Sequence, residues 1–169
     1  MSGNILIVDD DQSLADMLST VMKKAGFAVT SCSSATEGLA AVEEQDFDVV
    51  VTDLHMEGMD GLAFCERIVA NHPDVAVVMV TAFGSMDSAV AAIRAGAYDF
   101  IVKPFDISTI TLTLQRAVAH RALRGEVKRL RQEVTSVRPT RSATKPAITQ
   151  PIAPAPITKN EPISGIRGS

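Results

Sequence analysis

The sequence predicts an α/β protein, a doubly wound five-stranded parallel sheet with helices on both faces and a helical extension at its C-terminal end. Short apolar runs alternate five times with segments of helical periodicity, the pattern of strands joined by crossover helices. Val49, Val50, Val51 and Thr52 are all β-branched and residues 75–80 are uninterruptedly apolar, as strands buried on both faces must be. With 169 residues and 46% hydrophobic content, the chain holds one ordinary domain plus an appendage, and the absence of Trp makes its core aliphatic.

Taken in order, residues 4–8 form the first strand, which ends on Asp9-Asp10-Asp11. Leu14, Met17, Leu18, Val21 and Met22 then follow the spacing of an amphipathic helix, closed by Gly26. Residues 27–32 form the second strand. Ser34 caps a helix that turns Leu39, Ala40 and Val42 inward and Glu37, Glu43 and Glu44 outward. The third strand, 47–52, stops on Asp53. A Gly58-Met59-Asp60-Gly61 turn leads into a helix carrying Leu62, Phe64, Cys65, Ile68 and Val69, which Asn71-His72-Pro73 ends. Residues 75–80 form the fourth strand, followed by Thr81. A helix over 85–95 carries Ala89, Val90 and Ile93 and stops at Gly96, and the fifth strand, 98–102, ends at Lys103-Pro104.

The last helix is expected from Asp106 to Val137. Ile110, Leu114, Ala117 and Val118 pack on the sheet, whereas Leu123, Val127, Leu130, Val134 and Val137 recur at 4, 3, 4, 3, the spacing of a coiled coil. That stripe covers only about two heptads, and Gly125 weakens it. Pro139 ends the helix, and five further prolines make the rest a disordered linker. The expected organisation is a domain over 1–120, a dimerising helical connector over 121–138 and a Pro-rich linker or tail over 139–169.

Charge divides the chain in the same place. Through Leu114 there are 17 acidic and 5 basic residues, and from Gln115 onward 3 acidic and 11 basic. The domain itself is therefore not expected to bind nucleic acid, and the basic segment reads as a solvated helix face or a contact for an anionic partner. No segment has the roughly 18 apolar residues of a membrane span and residues 1–4 do not resemble a signal peptide, so a cytoplasmic protein is expected. Cys32 and Cys65 lack metal-ligand spacing and read as two buried, reduced thiols.

Four polar positions follow strands: Asp9-Asp10-Asp11 the first, Asp53 the third, Thr81 the fourth and Lys103 the fifth. Parallel strands bring all of them to one rim, where open α/β sheets keep their sites. Clustered carboxylates repel one another unless a hard dication neutralises them, and Mg²⁺ suits the set. Asp53 then reads as an in-line nucleophile that accepts a phosphoryl group, with Lys103 and the Thr81 hydroxyl neutralising its oxygens. Small Ala82 leaves room for the incoming group, and until phosphate arrives Lys103 pairs with Asp53.

Val8-Asp9-Asp10, Asp53-Leu54 with Met59-Asp60-Gly61, Thr81-Ala82 and Lys103-Pro104-Phe105 together resemble the receiver domain of two-component response regulators, over about residues 4–120. The resemblance implies a flavodoxin-like strand order 2-1-3-4-5, Asp53 as phosphoacceptor, and Asp9 and Asp10 holding Mg²⁺ together with Asp53 and the backbone carbonyl of His55. It further implies that Thr81 and Lys103 contact the phosphoryl group, that Phe100 is the aromatic switch, and that a sensor histidine kinase is the donor. The Lys103-Pro104 bond is often cis in this family, and the His55 position tunes dephosphorylation in it. Asp11 falls outside the metal pair and is expected to cap the first helix. Glu57 departs from the family, which usually has Pro there; its carboxylate reads as solvated. Such a domain is a signalling module that catalyses its own phosphorylation and dephosphorylation rather than an enzyme with an external product.

The residues from Thr81 to Phe100 look most like receivers of the NtrC type, which control sigma-54-dependent transcription through an AAA+ ATPase and a DNA-binding domain. No Gly-x-x-x-x-Gly-Lys-Ser/Thr loop occurs here, so that output domain is expected elsewhere in a longer protein, and residues 165–169 read as a cut before it or a cloning remnant. Phosphorylation is expected to change homodimerisation through the fourth and fifth helices and the connector residues Leu123, Val127, Leu130 and Val134. Three other readings compete. In a haloacid-dehalogenase-type phosphatase Asp9 would be the nucleophile of Asp9-x-Asp11. A flavodoxin-like FMN carrier is disfavoured by the triply acidic first loop, and a degenerate receiver serving only to dimerise would have lost the carboxylates that this chain keeps.

Overall fold

The computed structural model describes residues 2–136. Its elements are β1 (Asn4–Val8), α1 (Gln12–Lys24), β2 (Ala28–Cys32), α2 (Ala35–Glu44), β3 (Val49–Thr52), α3 (Gly61–Asn71), β4 (Ala76–Thr81), α4 (Met86–Arg94), β5 (Asp99–Val102) and α5 (Ile107–Ser136). The strands form one sheet in the order β2-β1-β3-β4-β5, and every adjacent pair is parallel. Val8 lies opposite both Cys32 and Thr52, and Thr81 lies opposite Val102. This register brings the residues that follow β1, β3 and β5 to one rim with the end of β4.

Side chains that alternate along each strand fill two cores. Ile5, Ile7, Val49, Val51 and Val78 pack with Leu18, Met22, Ile110 and Leu114 on the α1–α5 side, while Leu6, Val8, Val50, Val77 and Met79 pack with Phe64 and Ile68 on the other. Phe64 is fully buried, so Phe64→Ala would cost about 3–5 kcal/mol. Asp11, Ser34, Asp60 and Ser85 each accept a hydrogen bond from the backbone three residues on and so start α1 to α4. Gly26 and Gly96 have φ of +97°, which glycine adopts without a Cβ penalty.

The expected fold holds, with local corrections. Four strands begin one or two residues later than expected, because Phe27, Phe47, Val75 and Tyr98 occupy the turns that lead into them. Met17 is exposed: α1 faces the sheet with Ala15, Leu18, Ser19 and Met22, whose small members let the helix lie close. Ala40 is exposed too, since α2 presents Ala35, Gly38 and Val42; a Cβ on Gly38 would press on Val8 and Phe64. In α4 only Ala92 is buried, and Val90 and Ile93 point outward. Cys65 is buried but Cys32 only half so. Val137 and the Pro-rich segment 139–169 lie outside the described residues.

α5 runs without interruption from the sheet into the extension. Ile110, Leu114, Ala117 and Val118 are buried, whereas Leu123, Val127, Leu130 and Val134 are all exposed. Among the described residues, no helix is long and apolar enough to cross a membrane.

Candidate functional site

The rim gathers three carboxylates, two of which share one ammonium. Asp9, directly after β1, is buried, and its Oδ1 accepts the Asp11 N–H at 2.8 Å. Asp53, directly after β3, is half-buried, and its Oδ1 accepts the His55 N–H at 3.3 Å. Lys103, directly after β5, donates from Nζ to Asp9 Oδ2 at 3.4 Å and to Asp53 Oδ2 at 3.3 Å. Asp10 is exposed and accepts the Glu57 N–H at 3.3 Å, so Glu57 takes part in the rim through its backbone.

Oxygen atoms of Asp9, Asp10 and Asp53 lie within 4.8 Å of one another. With all three ionised and Lys103 paired to two of them, Asp9 and Asp53, the four groups carry 1 − 3 = −2. Burial, the largest influence, pushes the Asp9 carboxyl above its ordinary value; the Asp11 N–H and Lys103 oppose this, and the Asp53 charge adds to it. An all-oxygen, doubly negative, partly buried set fits a small hard dication such as Mg²⁺. The expected metal residues Asp9, Asp10 and Asp53 are thus brought together, and His55 stands in the loop that Asp53 begins.

Thr81 is fully buried at the end of β4, and its Oγ1 accepts the Phe83 N–H at 3.2 Å. Phe100 lies opposite Met79, half-buried against the α2–α4 side of the sheet. The Lys103-Pro104 bond is cis, and Asp11 caps α1 rather than joining the acidic cluster. At Gly61 a Cβ would overlap the Asp53 carbonyl oxygen, so only glycine lets α3 begin this close to the acidic loop. Sequence reasoning missed Phe83, whose ring stands edge-on to that of His55 with centroids 4.7 Å apart. An aromatic two residues beyond Thr81 was its only signal.

Neither cysteine belongs to this chemistry. Burial and the Glu66 charge push the Cys65 thiol up to about 11, and burial with Glu37 raises Cys32 as well, so both stay protonated near neutrality.

A doubly wound sheet with three carboxylates, a threonine and a lysine at the carboxyl ends of its strands is the arrangement of a receiver-like signalling domain. The response regulator receiver domain family matches residues 5–115, and the chain belongs to it. It is 40% identical over 129 residues to the C4-dicarboxylate transport transcriptional regulatory protein DctD of Rhizobium meliloti, covering 76% of this chain and 28% of that protein. It is 38% identical over 118 residues to the DNA-binding transcriptional regulator NtrC of Salmonella typhimurium, covering 70% and 25% respectively. A crystal structure of NtrX from Brucella abortus superposes with a TM-score of 0.73 at 34% identity, covering 80% of this chain and 30% of NtrX. The receiver is thus of the NtrC type, and the chain spans about a quarter of the length of the curated relatives it matches. Family membership displaces the phosphatase and FMN-carrier alternatives.

Proposed function

We propose that this domain accepts a phosphoryl group from a sensor histidine kinase onto Asp53 and changes its conformation and self-association in response, so as to control a transcriptional output. The observation that carries this reading is the three-carboxylate cluster with Lys103 reaching both Asp9 and Asp53.

An Asp53 carboxylate oxygen attacks phosphorus in line, the bond from phosphorus to the donor nitrogen breaks, and the imidazole leaves with its electron pair, giving an acyl phosphate. Asp9, Asp10, Asp53 and the His55 carbonyl would hold Mg²⁺, which when bound would neutralise charge on the transferring oxygens. Lys103 is already in place to pair with the new oxygens, and exchanges a carboxylate partner for a phosphoryl one. The Thr81 hydroxyl turns from the Phe83 N–H to donate to a phosphoryl oxygen. The half-buried Phe100 then repacks, and the face of α4, β5 and α5, with exposed Met86, Val90, Ile93, Val102 and Leu112, changes shape.

Residues 1–120 act as the receiver and 121–138 as a connector whose exposed Leu123, Val127, Leu130 and Val134 pair with a second copy. In the longer protein an AAA+ ATPase and a DNA-binding domain would take the signal.

The deciding experiment is intact mass spectrometry after incubation with acetyl phosphate and Mg²⁺. A phosphoryl adduct is expected on the parent and absent from Asp53→Asn or after chelation of the metal. An adduct that survives Asp53→Asn would overturn the assignment.

A further inference from the structure

The opposite end of the sheet holds a second set of paired charges. Asp48 immediately precedes β3 and Asp74 stands just before β4, at the edge where α5 leaves the domain. Arg121 Nη1 donates to Asp48 Oδ1 at 2.6 Å, and the other Asp48 oxygen accepts the Asn4 N–H at 2.7 Å. Seven residues further along α5, Lys128 Nζ donates to Asp74 Oδ2 at 3.2 Å. Asp48, Asp74, Arg121 and Gly125 line one cleft between the helix and the base of the domain.

Two features give this arrangement a direction. Arg121, Gly125 and Lys128 are spaced 4 and 3 residues apart and share one face of α5. At about 100° per residue, that face lies roughly opposite Leu123, Leu130 and Val134, while Val127 borders the cleft it shares with Asp74 and Lys128. The second feature is Gly125, the weakest helix former between the two ion pairs. A Cβ there would meet nothing within 4 Å, so close packing does not explain the glycine.

We propose that Arg121–Asp48 and Lys128–Asp74 form a two-point latch across a helical hinge at Gly125, holding the α5 extension against the base of its own domain so that the apolar stripe faces away from it. With the latch closed, α5 is a straight strut. With it open, the helix frays or bends at Gly125 and the stripe loses its fixed direction.

The test is amide hydrogen exchange across residues 122–134 in the parent, in Arg121→Gln/Lys128→Gln, and in that double variant with Gly125→Ala. Gln keeps the helix propensity of the cations it replaces and leaves Asp48 bonded to Asn4, so the domain stays folded. Measurement on dilution, with the monomer verified by sedimentation, separates the latch from self-association.

Protection is expected to fall by about twofold to tenfold in the double variant, and Gly125→Ala to restore most of it. Unchanged protection in the double variant would overturn the latch. A fall that Gly125→Ala leaves uncorrected would overturn the hinge. The readout involves no phosphoryl transfer, so its result is independent of the chemistry at Asp53.

Discussion

The two ends of the sheet use the same residue types for opposite ends. At the rim, Asp9, Asp10 and Asp53 cluster together, and Lys103 pairs with only two of them, Asp9 and Asp53, with Asp9 and Lys103 largely out of solvent. At the base, Asp48 has Arg121 and Asp74 has Lys128, one cation for each carboxylate, and every partner is partly in water. An undercompensated cluster has electrostatic work left for a ligand to do, whereas a one-to-one set has already done it. The ratio of carboxylates to cations, weighed with burial, separates a candidate chemical site from a structural one more sharply than the presence of acidic residues does.

Removing the cation at each end is the most direct way to break this comparison. Lys103→Met leaves Asp9 and Asp53 facing each other without their shared ammonium. The rate of phosphoryl transfer from acetyl phosphate, followed by intact mass, is expected to fall by about 10²–10³-fold, the order seen when one preorganised donor is deleted from a site of developing charge. A fall of less than about threefold would mean that Lys103 serves the resting ion pair alone.

A smaller effect distinguishes the ends by metal. A dication that binds the folded rim stabilises it by about 2.7 kcal/mol at a hundredfold excess over its dissociation constant. Thermal unfolding should therefore shift upward with Mg²⁺ in the parent and in Arg121→Gln, and fail to shift in Asp10→Asn. The shift should also depend on pH. Because burial raises the Asp9 carboxyl above its unfolded value of 3.8, the folded state holds that proton more tightly than the unfolded chain does. In the metal-free protein this favours folding below pH 3.8, and the advantage is lost as pH rises through the folded value. The metal needs the ionised form, so the Mg²⁺-dependent shift should shrink as pH falls through the same raised value. A shift of constant size from neutrality down to pH 4 would place the metal away from Asp9.

The rim was legible in the sequence because its parts are strand ends. A run such as Val49 to Thr52 declares a buried strand, parallel topology aligns the strand ends, and whatever polar residue follows must stand at the shared edge. Helix faces were less legible. In α1 and α2 two apolar stripes overlap, and the packing decided between them by putting Ala15, Ser19 and Gly38 where large side chains would hold the helix off the sheet. The base was not legible. Arg121 and Asp48 are 73 residues apart and Lys128 and Asp74 are 54 apart, and each looks like an ordinary surface charge until the length and direction of α5 are known.

The smallest effect expected is at the base, in global stability. Side chains of Arg121 and Asp48 are 25% and 26% exposed, which leaves their pair partly screened, while Lys128 and Asp74 at 61% and 43% are screened further. Arg121→Gln should cost about 0.5–1 kcal/mol in urea unfolding and Lys128→Gln less than about 0.5 kcal/mol. Both losses should shrink at high salt, since screening weakens the parent pair and leaves the variant unchanged. Neither variant should alter the yield of phosphoryl adduct, because the two ion pairs sit at the amino ends of strands whose carboxyl ends form the rim. A loss of adduct comparable to that of Lys103→Met would show that the two ends of the sheet are energetically coupled, and the division between a reactive rim and a structural base would have to be given up.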